Sequence, residues 1–110
     1  MLAGDSHAFW VNELHDKAGA RRAVEFGTSS ISSPSPGDHV GGLPLGAALS
    51  AANPEVKFCD QTAKGYVLLN VTRERMTGEL WAVSTIMAKP YELKRLKTFV
   101  VTPDGDLSEA

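Results

Sequence analysis

The sequence predicts an α+β fold, mainly antiparallel β, built on a five- to six-stranded sheet, and three observations carry that expectation. Runs rich in β-branched and aromatic residues recur at Val56–Gln61, Tyr66–Thr72, Gly78–Met87 and Leu96–Thr102, separated by the short polar connections Lys64-Gly65, Arg73-Glu74-Arg75 and Lys89-Pro90. Such short connections join antiparallel neighbours, because a parallel pair needs a long crossover. One stretch, Leu43–Ala52, is rich in Ala and Leu with Pro44 near its start, the composition of a short helix with proline in its first turn. Between the first strands and that helix lies a Gly/Ser/Pro-rich stretch, 27 to 46, which favours neither element.

Taken in order, Met1-Leu2-Ala3 is a small apolar run ending in Gly4-Asp5-Ser6-His7, a buried strand whose tip places a carboxylate and an imidazole two residues apart. Ala8–Leu14 fits alternation better than a helical stripe and reads as a strand. After the break at Asp16-Lys17-Ala18-Gly19, Ala23-Val24-Glu25-Phe26-Gly27 within Arg22–Ile31 is its antiparallel return, forming a hairpin behind the Gly-Asp-Ser-His tip. The long loop that follows is either a functional segment, with hydroxyls and glycine amides to line a phosphate pocket, or a flexible Ser/Pro linker. The helix stops before Asn53-Pro54, since the residue preceding proline is biased out of helical geometry. In the Gly78–Met87 run, Leu80, Ala82, Ser84 and Ile86 take one face while Trp81, Val83, Thr85 and Met87 take the other, so the sheet needs cover on both sides. Tyr66, Trp81 and Phe99 read as core rather than as a stacking platform, and the tail from Pro103 should turn and fray. The resulting single domain divides into 1–31 (motif and hairpin), 32–52 (loop and helix), 53–103 (antiparallel sheet) and 104–110 (tail).

Composition excludes several roles. At 110 residues and 43% hydrophobic content the chain buries one modest core. A net charge of -2, with Lys and Arg scattered, gives no footprint for nucleic acid. The cluster Lys89, Lys94, Arg95 and Lys97 reads as a solvated turn and strand edge, where charge discourages edge pairing. No run approaches the roughly 18 apolar residues of a membrane span, and Met1-Leu2-Ala3-Gly4 meets a charge at once, without the apolar region of a signal peptide. Cys59, the single cysteine, forms no internal disulfide and reads as a small core residue. His15 and His39 read as exposed histidines.

Carboxylate oxygen and neutral imidazole nitrogen are both good ligands for Zn, Mn, Fe or Ca-type sites, which makes Asp5 and His7 candidate metal ligands. Alone, the tetrapeptide also describes a turn with a surface Asp and His. The stretches Gly4–Leu14, Glu25–Pro34, Asn53–Phe58, Lys64–Val67 and Thr98–Val101 together resemble, in order and spacing along nearly all of the chain, the C-terminal end of alkaline phosphatase D-type (PhoD-like) metallophosphatases. The resemblance implies part of a calcineurin-like metallophosphoesterase sandwich, two sheets flanked by helices with a multinuclear metal site at the strand ends. In that family Gly4-Asp5-Ser6-His7 is similar to the last ligand motif, commonly Gly-His-x-His, with Asp in place of the first His; by that match Asp5 and His7 are metal ligands. The earlier ligand motifs have no counterpart here, and complete members are often exported.

Three functions follow. The first is the C-terminal part of a metal-dependent phosphoric ester hydrolase, with a phosphate ester substrate and metals of the Ca, Fe, Mn or Zn class, inactive as the isolated chain. The motif stands almost at Met1, which fits a truncated reading frame, a mis-set start codon or a cut fragment. The second is a non-catalytic self-associating β-sheet module, a homodimer burying the apolar sheet face. The third is an enzyme built across a homomeric interface, with Glu13, His15 or His39 of a neighbouring copy completing the metal sphere.

Overall fold

The computed structural model describes residues 1–110. The chain forms two four-stranded sheets rather than the single five- to six-stranded sheet expected from sequence. In the first, β1 (Leu2–Ala3), β2 (Phe9–His15), β3 (Arg21–Gly27) and β4 (Val56–Asp60) are ordered β1-β3-β2-β4; in the second, β5 (Gly65–Val71), β6 (Met76–Val83), β7 (Leu93–Val101) and β8 (Leu107–Glu109) form a consecutive antiparallel meander. Only β1 and β3 pair in parallel. Between β3 and β4 lie a 3-10 turn, Pro36–His39, and the single helix α1, Leu45–Ala52.

Alternation explains why two sheets form. Phe9 and Val11 of β2 and Val24 and Phe26 of β3 share one face, while Trp10, Asn12, Ala23 and Glu25 share the other, since the side-chain period of a strand is two. The first set meets Leu80 and Phe99 of the second sheet in one buried cluster of six residues. Contact is close: a Cβ added at Gly78 would stand 2.5 Å from the Phe26 ring, and the Phe58 and Phe99 rings lie 6.1 Å apart. Face-to-face packing of this kind makes a sandwich. Cys59 is buried, as its small size suggested, and α1 lies so close to β4 that a Cβ at Gly46 would stand 2.4 Å from the Cys59 carbonyl oxygen.

Several expectations are corrected here. Strand β6 ends at Val83, so Ile86 and Met87 lie in the bends beyond it and not on its faces. Trp81 is on the outer face, where its Nε1–H donates to Glu79 (2.8 Å) and the Arg95 guanidinium stands 5.8 Å from its ring; Tyr66 is likewise exposed, and only Phe99 of the three aromatics is core. The tail does not fray: β8 pairs with β7 at Val101↔Leu107 through Phe99↔Glu109, and Arg21 of the first sheet binds Asp106. The case for a homodimer is weakened by the same arrangement. Leu80, whose exposure argued for self-association, is fully covered by the first sheet. No helix is long and apolar enough to cross a membrane.

Candidate metal centre

The directions of β1 to β4 bring one end of the first sheet together. The ends of β1, β3 and β4 and the start of β2 meet there, because β3 runs parallel to β1 and antiparallel to β2, which is in turn antiparallel to β4. Gly4–Ala8 spans the tip. Asp5 and His7 both adopt left-handed backbone, with φ of 70° and 54°. That conformation costs a non-glycine residue about 1–3 kcal/mol, is best tolerated by short polar side chains, and concentrates at functional sites. A tight Ser6 N–H to Gly4 O bond (2.8 Å) closes the turn, and the Trp10 indole N–H donates to Ser6 Oγ (3.1 Å).

The His7 ring has a defined orientation. Its Nδ1 lies 2.9 Å from the carbonyl oxygen of Pro34, an acceptor only, so Nδ1 is the donor of this bond. In a neutral ring with that bond, Nε2 is the lone-pair nitrogen. A histidine that binds metal characteristically donates its other ring N–H to a carbonyl or carboxylate, which fixes the tautomer and aims the free nitrogen. No hydrogen bond within the chain engages the Asp5 carboxylate, which is exposed. Both side chains are of types that ligate metal ions, and both stand at the tip, but no group of three or more His, Cys, Asp and Glu side chains that could hold an ion is gathered anywhere in the chain.

The other candidates lie elsewhere. Glu13 and His15 are at the far end of β2, where Glu13 is shared among Arg21 (3.5 Å), Lys57 (3.6 Å) and His15 (3.7 Å). His39 ends the 3-10 turn, exposed.

The loop after β3 is tied to the tip rather than free as a linker. Ser29 Oγ donates to the Ala63 carbonyl (2.6 Å) and lies 3.4 Å from that of His7; Gly37 N–H donates to Gln61 O (2.9 Å). Lys64, 8% exposed, places its ammonium between Ser35 Oγ (2.8 Å), Asp38 Oδ2 (2.8 Å) and Thr62 O (2.7 Å). Sequence reasoning took Lys64 only as turn punctuation and did not find this brace, because its partners are 26 and 29 positions away.

The Asp38 carboxyl is held below the ordinary carboxylate range, first by the Lys64 hydrogen bond and then by the Ser35 N–H. A lowered folded-state pKa stabilises above the unfolded value, about 3.9, and the contribution is lost as pH falls through the folded one. Urea midpoints should therefore be insensitive to Asp38 protonation at neutral pH and fall below about pH 4, with the fall shallower in Asp38→Asn; an identical acid profile for the two proteins would contradict the pairing.

The family model of PhoD-like phosphatases matches residues 1–80. The chain belongs to the PhoD-like phosphatase family. A solved structure of PhoD superposes with a TM-score of 0.74 at 18% sequence identity, covering 99% of this chain and 21% of that one. The two-sheet fold is thus a PhoD-like one, and the chain spans about a fifth of the length of the PhoD chain it matches. No curated protein matches the sequence.

Proposed function

We propose that this PhoD-like segment contributes to the metal centre of a phosphoric ester hydrolase, with Asp5 Oδ and His7 Nε2 as its ligands and phosphate esters as the substrate class. The observation that carries the reading is the His7 Nδ1–H bond to Pro34 O at 2.9 Å, which orients the ring and, in its neutral form, makes Nε2 the nitrogen open to a metal. A metal of the Ca, Fe, Mn or Zn class, when bound, polarises a phosphoryl oxygen and lowers the pKa of bound water. Asp5 and His7 bind and orient, and the tied 28–40 loop fixes where they do so.

Two ligands fall short of the three protein groups plus open position that a catalytic ion requires. The purified 110-residue chain should therefore hydrolyse aryl phosphomonoesters and bis-aryl phosphodiesters no faster than buffer. Robust turnover that is lost on chelation and in Asp5→Ala would show that the chain is a complete enzyme, as the homomeric alternative requires.

Self-association is the second reading, and it rests on a different surface from the one first considered. Ile31, Tyr66, Ile86, Tyr91 and Leu93 line an apolar groove of about 290 Å³ beside the end of β6, and each of them is exposed. Contiguous exposed apolar surface of this kind marks interfaces. Light scattering separates the readings, since a homodimer gives twice the 11.8 kDa chain mass and a lone segment does not.

A further inference from the structure

We infer that Lys64 is a positioning residue for His7, acting through Ser35, Asp38 and the Pro34 carbonyl to hold the imidazole in its Nδ1–H form. The purpose assigned to that form rests on the ligand reading of His7 above; the positioning itself does not.

The inference starts from a buried charge. An ammonium removed from water is costly unless all its N–H donors are paired, and Lys64 has three donors and three acceptors. Two of those acceptors, Ser35 Oγ and Asp38 Oδ2, belong to the loop after β3, so satisfying Lys64 requires that loop to sit against the connection between β4 and β5. Asp38 Oδ2 also accepts the backbone N–H of Ser35 at 2.7 Å. That N–H is half of the Pro34–Ser35 peptide group, and the other half is the Pro34 carbonyl. A peptide group is planar and rigid, so fixing the direction of the Ser35 N–H fixes that of the Pro34 C=O. The Pro34 oxygen then accepts from His7 Nδ1. Every link from ammonium to imidazole is a hydrogen bond of 2.7–2.9 Å or a rigid covalent plane.

The chain of contacts matters because an unrestrained neutral imidazole side chain prefers its proton on Nε2, the nitrogen a metal would need. Without Lys64 the Asp38 carboxylate keeps the Ser35 N–H but loses the cation that fixes its own position, so the Pro34–Ser35 plane loosens and His7 shifts toward the Nε2–H form. A brace that served only stability would leave the tautomer unchanged.

The test is ¹⁵N NMR of the histidine rings in the metal-free 110-residue protein at a pH where imidazole is neutral. Wild-type His7 should be mainly the Nδ1–H tautomer, with His15, at the far end of β2, as the internal reference. In Lys64→Met, the ratio of Nδ1–H to Nε2–H at His7 should fall by about fivefold, the worth of one hydrogen bond, while His15 does not move. Asp38 is 37% exposed and is solvated when Lys64 is removed, so Lys64→Met is the gentler break of the pair. Should its amide spectrum show that it does not fold, Asp38→Ala decides, because it takes the acceptor from the Ser35 N–H directly and must shift His7 in the same direction. A folded Lys64→Met or Asp38→Ala with the wild-type tautomer ratio overturns the proposal, as does a wild-type His7 that is mainly Nε2–H. Correct tautomer behaviour combined with no metal response at His7 leaves the positioning intact and removes the ligand reading, so the two failures are distinguishable.

Discussion

In a longer PhoD-like protein that carries this segment with the remaining ligand motifs, His7→Ala should lower both bound metal and turnover by at least about a hundredfold, and Asp5→Ala by a similar factor. His39→Ala should leave both within about twofold, because His39 is exposed at the end of the 3-10 turn, outside the Gly4-Asp5-Ser6-His7 motif. The contrast among the three carries the information. Loss of metal in any ligand variant also follows from misfolding, so each is paired with an amide spectrum; the alanines remove exposed or half-buried side chains and leave the six-residue core untouched. A His39 variant as damaged as the His7 variant would mean that the tip of the first sheet is not the metal site.

The largest stability effect is expected at Gly65, where the chain crosses from one sheet to the other. A Cβ there would stand 1.8 Å from the Trp81 carbonyl oxygen and 2.9 Å from Ala82 Cα, both of them backbone of the neighbouring strand β6. No side-chain rotation relieves such a clash. The pairing Gly65↔Ala82 must open, and with it the bonds Gly65 N–H to Ser30 O (3.0 Å) and Val83 N–H to Lys64 O (2.8 Å) that seat the crossing. Gly65→Ala should cost about 4 kcal/mol or more, a large share of the roughly 5–15 kcal/mol that stabilises a domain, and lower the melting temperature markedly. A Gly65→Ala protein melting within about 2 °C of wild type would show that β5 and β6 are not paired as described.

The strands were legible because their signal is local. Ala8–Leu14 and Ala23–Gly27 read as strands from their own residues, although Phe9-Trp10-Val11 is apolar on both faces and does not by itself say which face is core. The division into two sheets was not legible, because it depends on which strands lie face to face, and nothing in the alternation of Gly78-Glu79-Leu80 says that Phe26 will pack onto Gly78. Strand β8 was missed for a related reason. Leu107-Ser108-Glu109 is too short to carry a periodic signal and is held by pairing to β7 and by the Lys97–Glu109 ion pair. At the candidate site, Asp5 and His7 were visible as residue types at a spacing, and their left-handed backbone agrees with an arrangement held for something other than stability. The orientation of His7 was invisible, since it depends on a carbonyl 27 residues away, and a carbonyl has no signature in sequence.

Manganese titration of the ¹⁵N-histidine-labelled 110-residue protein locates the metal ligands without turnover, because the paramagnetic ion broadens the nuclei nearest to it. His7 should broaden first, with Asp5→Ala weakening the effect at His7, while His15 and His39 persist to higher metal concentration. Broadening that begins at His39 or at the His15–Glu13 pair, or that treats all three histidines alike, would contradict the assignment of the metal centre to the tip formed by Gly4-Asp5-Ser6-His7.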